Sequence, residues 1–512
     1  MDELENLKGE VEAGRIDARR LVDLLEELLR QQQGSKEELE AAKRELEAAK
    51  QRIAELEKKL NPSSEKLDEA YSLNAEEKRQ KKRDKAKAKK DKKNGRKGRI
   101  NSQDKIDKAQ RREKVYPEGA DPARCKLSHV RPVWRLEHGF AVLIAYEVYR
   151  APNGKYGKIP GVLGRSEFGL EFVLTIAHLV YTSGLSFDKA CEMLSFFQHL
   201  KLSKAQANSL LSQLGRAWFG EFEILCTLLA HSAVVHADET SWSINSVWAF
   251  LSEKARLLIF GCHKDAETLK LILDVQTFLG LVVSDDAAVY ANFTNSQKCW
   301  AHLLRKAIKL TLQRPQNQEY RQFCDELLAL YRKACKVQRD GRMRDSGRQG
   351  WVNELNTRLT NLCSARYQSK AAPEDGPADD YRRLVNELMG LMRADQLFKF
   401  VTQKETEQLN GKTKPVSGTN NESERTLRNP AQARKTGRAN KTVSGARRQT
   451  VIKSVLESLR LYLPVYTLQS IIDEVKRWSQ AGQSCFAELL AKLGLSKAEE
   501  PILEKLVPEP SG

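Results

Sequence analysis

Asp238 closes the apolar run "SAVVHADET", and Asp285 closes a second one, "FLGLVVSDDAAVY". Both runs are short and bounded by turn residues, a pattern that predicts buried strands delivering carboxylates at their C-terminal ends. Between them, "SVWAFLSE" and "RLLIFGCHK" alternate like antiparallel neighbours of the first. Carboxylates a few ångströms apart in a partly dry site repel, so the arrangement is costly unless something neutralises it. A divalent cation does so. Mg2+ takes one or two carboxylates with water and phosphate oxygens, and a pair of ions activates an attacking oxygen while stabilising a leaving one. Taken singly, each aspartate fits a turn or a helix cap equally well. The joint pattern carries the metal reading: strand aspartate, hairpin, strand aspartate, then a distant glutamate on a basic helix.

That glutamate lies in "TNNESERTLRNPAQARKTGR", Thr419 to Arg438, where Glu422 and Glu424 stand among Arg425, Arg428, Arg434, Lys435 and Arg438. A solvated helix face would carry the same mixture. A carboxylate set among cations that hold a phosphate backbone would carry it as well. Glu422 lies two residues from Glu424, so on a helix it points elsewhere and is expected to be exposed.

The elements that position these groups follow from periodicity. From Ser35, Leu39, Ala42, Leu46, Ala49, Ile53, Leu56 and Leu60 recur in steps of three and four, an a/d seam opened by a Ser35/Glu38 capping box. It reads as a coiled coil for self-association or as a lone helical hairpin, with Gly34 breaking an earlier helix. Lys78 to Ile100 is almost free of apolar residues, and such a run either contacts nucleic acid or is a solvated linker. Tyr116 to Leu229 reads as helical, with breaks at Ser183-Gly184 and before Ser203. Ser203 as N-cap joins two helices in the manner of a helix-turn-helix, which suits either DNA reading or core packing. "KCWAHLLRKAIKL" starts a strand or helix, residues 312–408 are helical and charged with a break at "AAPEDGPADD", and helices end the chain.

The expected order is a coiled coil (1–62), a basic flexible linker (63–115), a helical segment (116–230), the first part of an α/β core (231–311), a helical insertion (312–408), the end of the core with Glu424 (409–465) and C-terminal helices (466–512). The 512 residues suffice for several domains. Lys plus Arg number 86 against 68 Asp plus Glu, a net charge of +18 that favours a polyanionic partner. Nine scattered cysteines without a C-x-x-C pair predict reduced thiols in a cytosol. No apolar leader or membrane-length run is visible, so a soluble cytoplasmic protein without membrane partners is expected.

"HADET", "VVSDDAAVY", "KCWAHLLRK" and above all "NNESERTLRNPAQARKTG", with "SGARRQTVIKSVLESLR" behind it, resemble the bacterial IS66-type insertion-sequence transposases. Ser423 stands where the family's N-N-x-A-E-R-x-L-R-N-P has alanine. The resemblance implies a DDE transposase on an RNase H-like core: a mixed sheet with flanking helices and a helical insertion. It implies Asp238 as first acid, Asp285 as second, with Asp286 the alternative, and Glu424 as third. Asp286 takes the glycine's place in the family's Asp-Gly-Tyr-x-x-Tyr. These acids would hold Mg2+ or Mn2+, two ions in all. Arg425, Arg428, Arg434, Lys435 and Arg438 would hold DNA, and Asn420 and Asn421 would cap the helix or touch substrate. Cys299 and His302, a C-x-x-H pair, would support the site. Relatives carry a cysteine-bearing ribbon ahead of the core, but only Cys125 lies near that place, so no zinc site is expected. Implied partners are the double-stranded inverted-repeat ends, target DNA, a second copy through the coil, and small accessory proteins of the element, all at the nucleoid. An inactive DNA-binding scaffold and an RNase H-like nuclease or resolvase are the alternatives.

Overall fold

The computed structural model describes residues 102–365, 367, 376–403, 405–498 and 500–508, with scattered positions between 13 and 51. Met1–Arg99 and Ile100–Gly512 form separate units. In the first, the described positions from Arg19 to Gln51 are helical and exposed. Gly34 is among them, which corrects the helix break expected there. One glycine inside a helix costs only about 1 kcal/mol, too little to end it where its neighbours favour helix. The heptad seam and the lysine-rich run lie outside the described residues, and with them the coil and most of the linker.

The second unit opens with α1 (Ser102–Asp107) and a three-stranded sheet of β1 (Arg111–Val115), β2 (Lys126–Glu137) and β3 (Phe140–Arg150). β1 runs parallel to β3 and β2 antiparallel to it. Residues 102–115, expected to belong to a flexible linker, instead form α1 and β1, and the segment read as helical from residue 116 begins as a β-hairpin. Its turn is His138-Gly139, with φ of 49° and 86°, the two-residue geometry that matches strand twist. β3 is the central strand and is buried on both faces from Leu143 to Tyr146, so its apolar run shows no alternation and imitates a buried helix.

The longer helices begin at α2 (Leu170–Ala177), extended by a wider turn to Thr182, followed by α3 (Phe187–Gln198), α4 (Lys204–Ala217) and α5 (Phe219–Ala230). The first break falls at Ser183-Gly184, with Gly184 at φ 70°. Ser203 caps α4 in a reciprocal capping box with Gln206. α4 buries Ala207, Leu210, Leu211 and Leu214, and Arg448 holds another flank through Asn208 (2.8 Å) and Ser212 (2.9 Å). Core packing thus accounts for much of this helix's surface.

A five-stranded sheet follows, built from β4 (Val234–Ser241), β5 (Ser246–Leu251), β6 (Arg256–Cys262), β7 (Leu281–Ser284) and β8 (Ser296–Lys298), with α6 (Ala266–Ile272) between β6 and β7. The spatial order is β6-β5-β4-β7-β8; β5 is antiparallel to both its neighbours, and β4, β7 and β8 are parallel. Alternation along β4 sends Val235 and Ala237 to the main core and Val234 to a second core under the insertion. α7 (Trp300–Gln313) leads into that insertion: α8 (Gln318–Arg339), α9 (Asp345–Ser364), α10 (Pro377–Arg393) and α11 (Lys399–Thr402). The break at "AAPEDG" lies mostly outside the described residues. A short hairpin, β9 (Glu405–Glu407) and β10 (Thr413–Pro415), precedes α12 (Asn421–Lys435), α13 (Val443–Tyr462), α14 (Leu468–Ala481), α15 (Cys485–Lys492) and α16 (Leu503–Leu506).

β6 is an edge strand, and α13 occupies its free side. Ser458, Ser454 and Thr450 hydroxyls accept from the backbone N–H of Arg256 (2.9 Å), Leu258 (3.0 Å) and Phe260 (2.9 Å). Four helical residues advance about 6 Å and two strand residues about 6.6 Å, so a hydroxyl once per turn meets every outward N–H. Among the described residues, no helix is long and apolar enough to cross a membrane.

Candidate active site

β4 and β7 are adjacent and parallel, so Asp238 on the first and Asp285, just past the second, emerge at the same end of the sheet. α12 packs along β4 and carries Glu424 in its first turn. The Asp238 carboxyl is pushed up to about 7, first by burial, then by the nearby Glu239, Asp285 and Glu424, against a hydrogen bond from the Glu239 N–H. The three acids expected from the sequence therefore share one electrostatic neighbourhood. Asp285 accepts from the Ala287 N–H at 3.1 Å. Asp286 faces the insertion instead: Glu387 of α10 is pushed up chiefly by burial and in part by Asp286, against the pull of Lys306. The backbone at Asp286 stays out of the left-handed region, so an aspartate replaces glycine there without strain.

Three hydrogen bonds stitch the acid-bearing elements together. The Asn420 side-chain Nδ2 donates to the Ala237 carbonyl (2.7 Å), next to Asp238. The Asn420 N–H donates to Cys299 Sγ (3.1 Å), and the Cys299 N–H donates to the Ser284 carbonyl (2.9 Å), next to Asp285. Asn420 thus occupies the N-cap position of α12 without capping it, because its side chain ties the helix to β4. Ser423 is buried and bonds both the carbonyl and the side chain of Asn420, which gives its hydroxyl a use where alanine would have none. Asn421 is exposed, and its carbonyl accepts from Arg425 Nε at 3.1 Å.

Glu424 accepts from Arg305 at 2.6 Å and lies 3.6 Å from His302 Nδ1. Burial holds the His302 imidazole below its usual pKa. Cys299, His302 and Glu424 bring their ligand atoms within 4.8 Å of one another. Three donors are one short of a structural zinc's four, and Arg305 already bonds the carboxylate. Glu422 corrects its expectation: it points away from Glu424, but it is half-buried on Arg256 (2.7 Å) and Lys414 (2.8 Å). The reason is that α12 lies on the sheet, so both of its flanks meet protein.

Of the cations expected on DNA, Arg425, Arg428 and Lys435 are exposed. Arg434 donates to the Ser241 carbonyl (2.6 Å) and Arg438 to the Gly184 carbonyl (2.8 Å), so both fasten the end of α12 to the protein. Sequence reasoning passed over Glu239, Lys264 and Tyr290. Glu239 bonds Tyr290 at 2.5 Å and Lys264 at 2.6 Å beside Asp238. The signal was the second acid of "HADET", which alternation turns to the opposite face. Carboxylates at Asp238, Asp285 and Glu424 outnumber the nearby cations Arg305 and Lys298, the latter donating from Nζ to the Asp285 carbonyl at 3.2 Å. This oxygen-rich, under-neutralised donor set fits a hard divalent cation.

The family model for the IS66 family of transposases matches residues 165–448, more than half of the chain. Among curated proteins no match was found.

Proposed function

The chain belongs to the IS66 family of transposases, enzymes that process DNA, and from that membership we propose that it cuts and joins DNA as a DDE enzyme. Asp238, Asp285 and Glu424 hold Mg2+ or Mn2+, with two ions in the loaded site. When bound, the ions activate the attacking oxygen and take up charge on the phosphate. The single observation that carries this reading is geometric: parallel β4 and β7 bring Asp238 and Asp285 out at one end of the sheet, where α12 places Glu424. The upward push on the Asp238 carboxyl agrees with that crowding of acids.

Three antiparallel strands followed by two parallel ones, with acids on the first and fourth strands in chain order, support the RNase H-like reading. Arg425, Arg428 and Lys435 hold the DNA backbone, while Arg434 and Arg438 keep α12 in place. In the first step a water oxygen bonds to phosphorus at the element's end and the 3′-oxygen leaves as a hydroxyl. In the second, that 3′-oxygen bonds to a target phosphorus and displaces a target 3′-oxygen. No covalent protein intermediate is required. The helical segment and the basic run bind the inverted repeats, and the coil pairs two protomers so that both ends are processed together.

The test keeps the native context, because small companion proteins of the element take part. The gene is cloned with its flanking DNA beside a marker, and marker transfer to a target plasmid is counted for the parent chain and Glu424→Gln. Transfer by the parent alone, with the variant still soluble and DNA-binding, supports the reading. Equal transfer by both would remove Glu424 from the site.

A further inference from the structure

Glu239 is the second acid of β4, and its side chain is 2 % exposed. Both of its oxygens are engaged: Oε2 accepts from the hydroxyl of the fully buried Tyr290, and Oε1 accepts from Lys264 Nζ. The Tyr290 ring stands edge-on to Trp248, with centroids 6.1 Å apart, so the acceptor side of this arrangement is rigid.

Lys264 lies in the turn between β6 and α6. That turn is pinned from both sides: Trp248 Nε1 donates to the His263 carbonyl (3.0 Å), and Asp265 caps α6 by accepting from the Thr268 N–H (2.7 Å). β5 is antiparallel to both β4 and β6, so β6 points the same way as β4. Lys264 therefore leaves the sheet at the end where Asp238 and Asp285 emerge. Its side chain remains 56 % exposed. A lysine ammonium has three N–H donors, of which Glu239 takes one. A free surface lysine loses rotamer entropy when a ligand fixes it. A buried acid that already holds the ammonium lowers that cost before any ligand arrives.

We propose that Lys264, held by Glu239 and Tyr290, binds a phosphate of the DNA strand that crosses the Asp238, Asp285 and Glu424 cluster. This assignment rests on the DNA-processing reading above. Lys264 supplies a held positive charge at the sheet end where Asp238 and Asp285 emerge, and so helps orient the strand there. A lysine that served only as counter-ion to Glu239 would satisfy the same distances, so the test has to read phosphate contact itself.

The probe is a labelled 40-base-pair duplex taken from the DNA flanking the gene. The full chain carries Glu424→Gln so that the duplex stays uncut. Kd is followed by anisotropy as KCl is raised, for this chain and for the added changes Lys264→Gln, Lys264→Arg and Glu239→Gln. One lost phosphate contact makes the slope of log Kd against log salt shallower by about 0.9. Lys264→Gln should show that change, Lys264→Arg should restore most of it, and Glu239→Gln should weaken binding without flattening the slope as far. If Lys264→Gln lowers only the melting temperature and leaves Kd and slope alone, the lysine is a structural counter-ion and the assignment is overturned. If the chain with Lys264 intact shows no salt-dependent binding, the DNA-processing reading falls first and takes the assignment with it.

Discussion

The two flanks of α12 treat two glutamates in opposite ways. Glu422 meets Arg256 and Lys414 beside a pocket of about 230 Å3 that His236 also lines. Burial works against its ionisation, but Lys414 and Arg256 outweigh burial and hold its carboxyl below the usual range. Glu424 has Arg305 and the His302 imidazole beside it, and the neighbouring Asp238 is pushed up toward neutrality by burial and nearby acids. One flank is a finished ion-pair network, and the other gathers like charges that its nearby cations neutralise only in part. The difference shows how one helix can pair one glutamate fully and leave another crowded by acids, although both lie within three residues.

The sharpest way to break this comparison is to neutralise each glutamate in turn. Glu424→Gln should reduce marker transfer by a factor on the order of 10³ or more, as expected for loss of a group acting on transition-state charge. Glu422→Gln should leave the transfer per folded molecule within about threefold. Equal losses in soluble protein would erase the distinction.

Asp238→Asn probes the strained flank through stability. The carboxyl binds its proton more tightly in the fold, at about 7, than in the unfolded chain. Its favourable contribution is therefore complete below about pH 4 and is lost as pH rises toward 7. In metal-free solution near pH 8, Asp238→Asn should be more stable than the parent, by up to about 4 kcal/mol. Urea titration at pH 8, pH 5 and below pH 4 reads this: the gain is fullest at pH 8, falls to less than half by pH 5 and should vanish below about pH 4. Added Mg2+ should raise the melting temperature of the parent far more than that of the variant.

Glu422→Gln should do the reverse, costing about 2 kcal/mol at neutral pH because it leaves Arg256 and Lys414 without their carboxylate. A depressed carboxyl stabilises above the unfolded pKa and loses that contribution as pH falls through the folded one. The cost, read by urea unfolding, should therefore shrink in acid. The smallest effect is expected far from either glutamate: Ser454→Ala leaves the Leu258 N–H unpaired and should cost about 1 kcal/mol. Faster hydrogen exchange at Leu258 would locate that loss on β6.

Much of the site was legible because the apolar runs of β4 and β7 stop at an aspartate, with β5 and β6 between them, although β4 itself carries on past Asp238 to Ser241. The β2–β3 hairpin was not legible: β3 is buried on both faces, and Pro132 sits in the middle of edge strand β2, where proline argues against a strand in the sequence although β2 runs through it. The "EHGF" turn was the available signal, since glycine after a residue able to adopt positive φ joins strands. The partners of Glu422 were hidden for another reason. Arg256 and Lys414 are brought to it by the packing of α12 on the sheet, and no local pattern records that packing. Asn420 read as a cap by its position, yet a nearby strand carbonyl, Ala237, offered its amide a partner that the helix end did not.

The hydroxyls of α13 on β6 also bear on how copies of this chain can meet. A strand edge with open N–H groups is a template onto which another chain adds its own strand. Here one edge is already occupied from Arg256 to Phe260, and the opposite edge, β8, is three residues long and bonded to Gln396. Neither edge of the five-stranded sheet therefore offers another chain a long strand-pairing site. Crowded chains likewise lose a common route to strand-on-strand aggregation at this core.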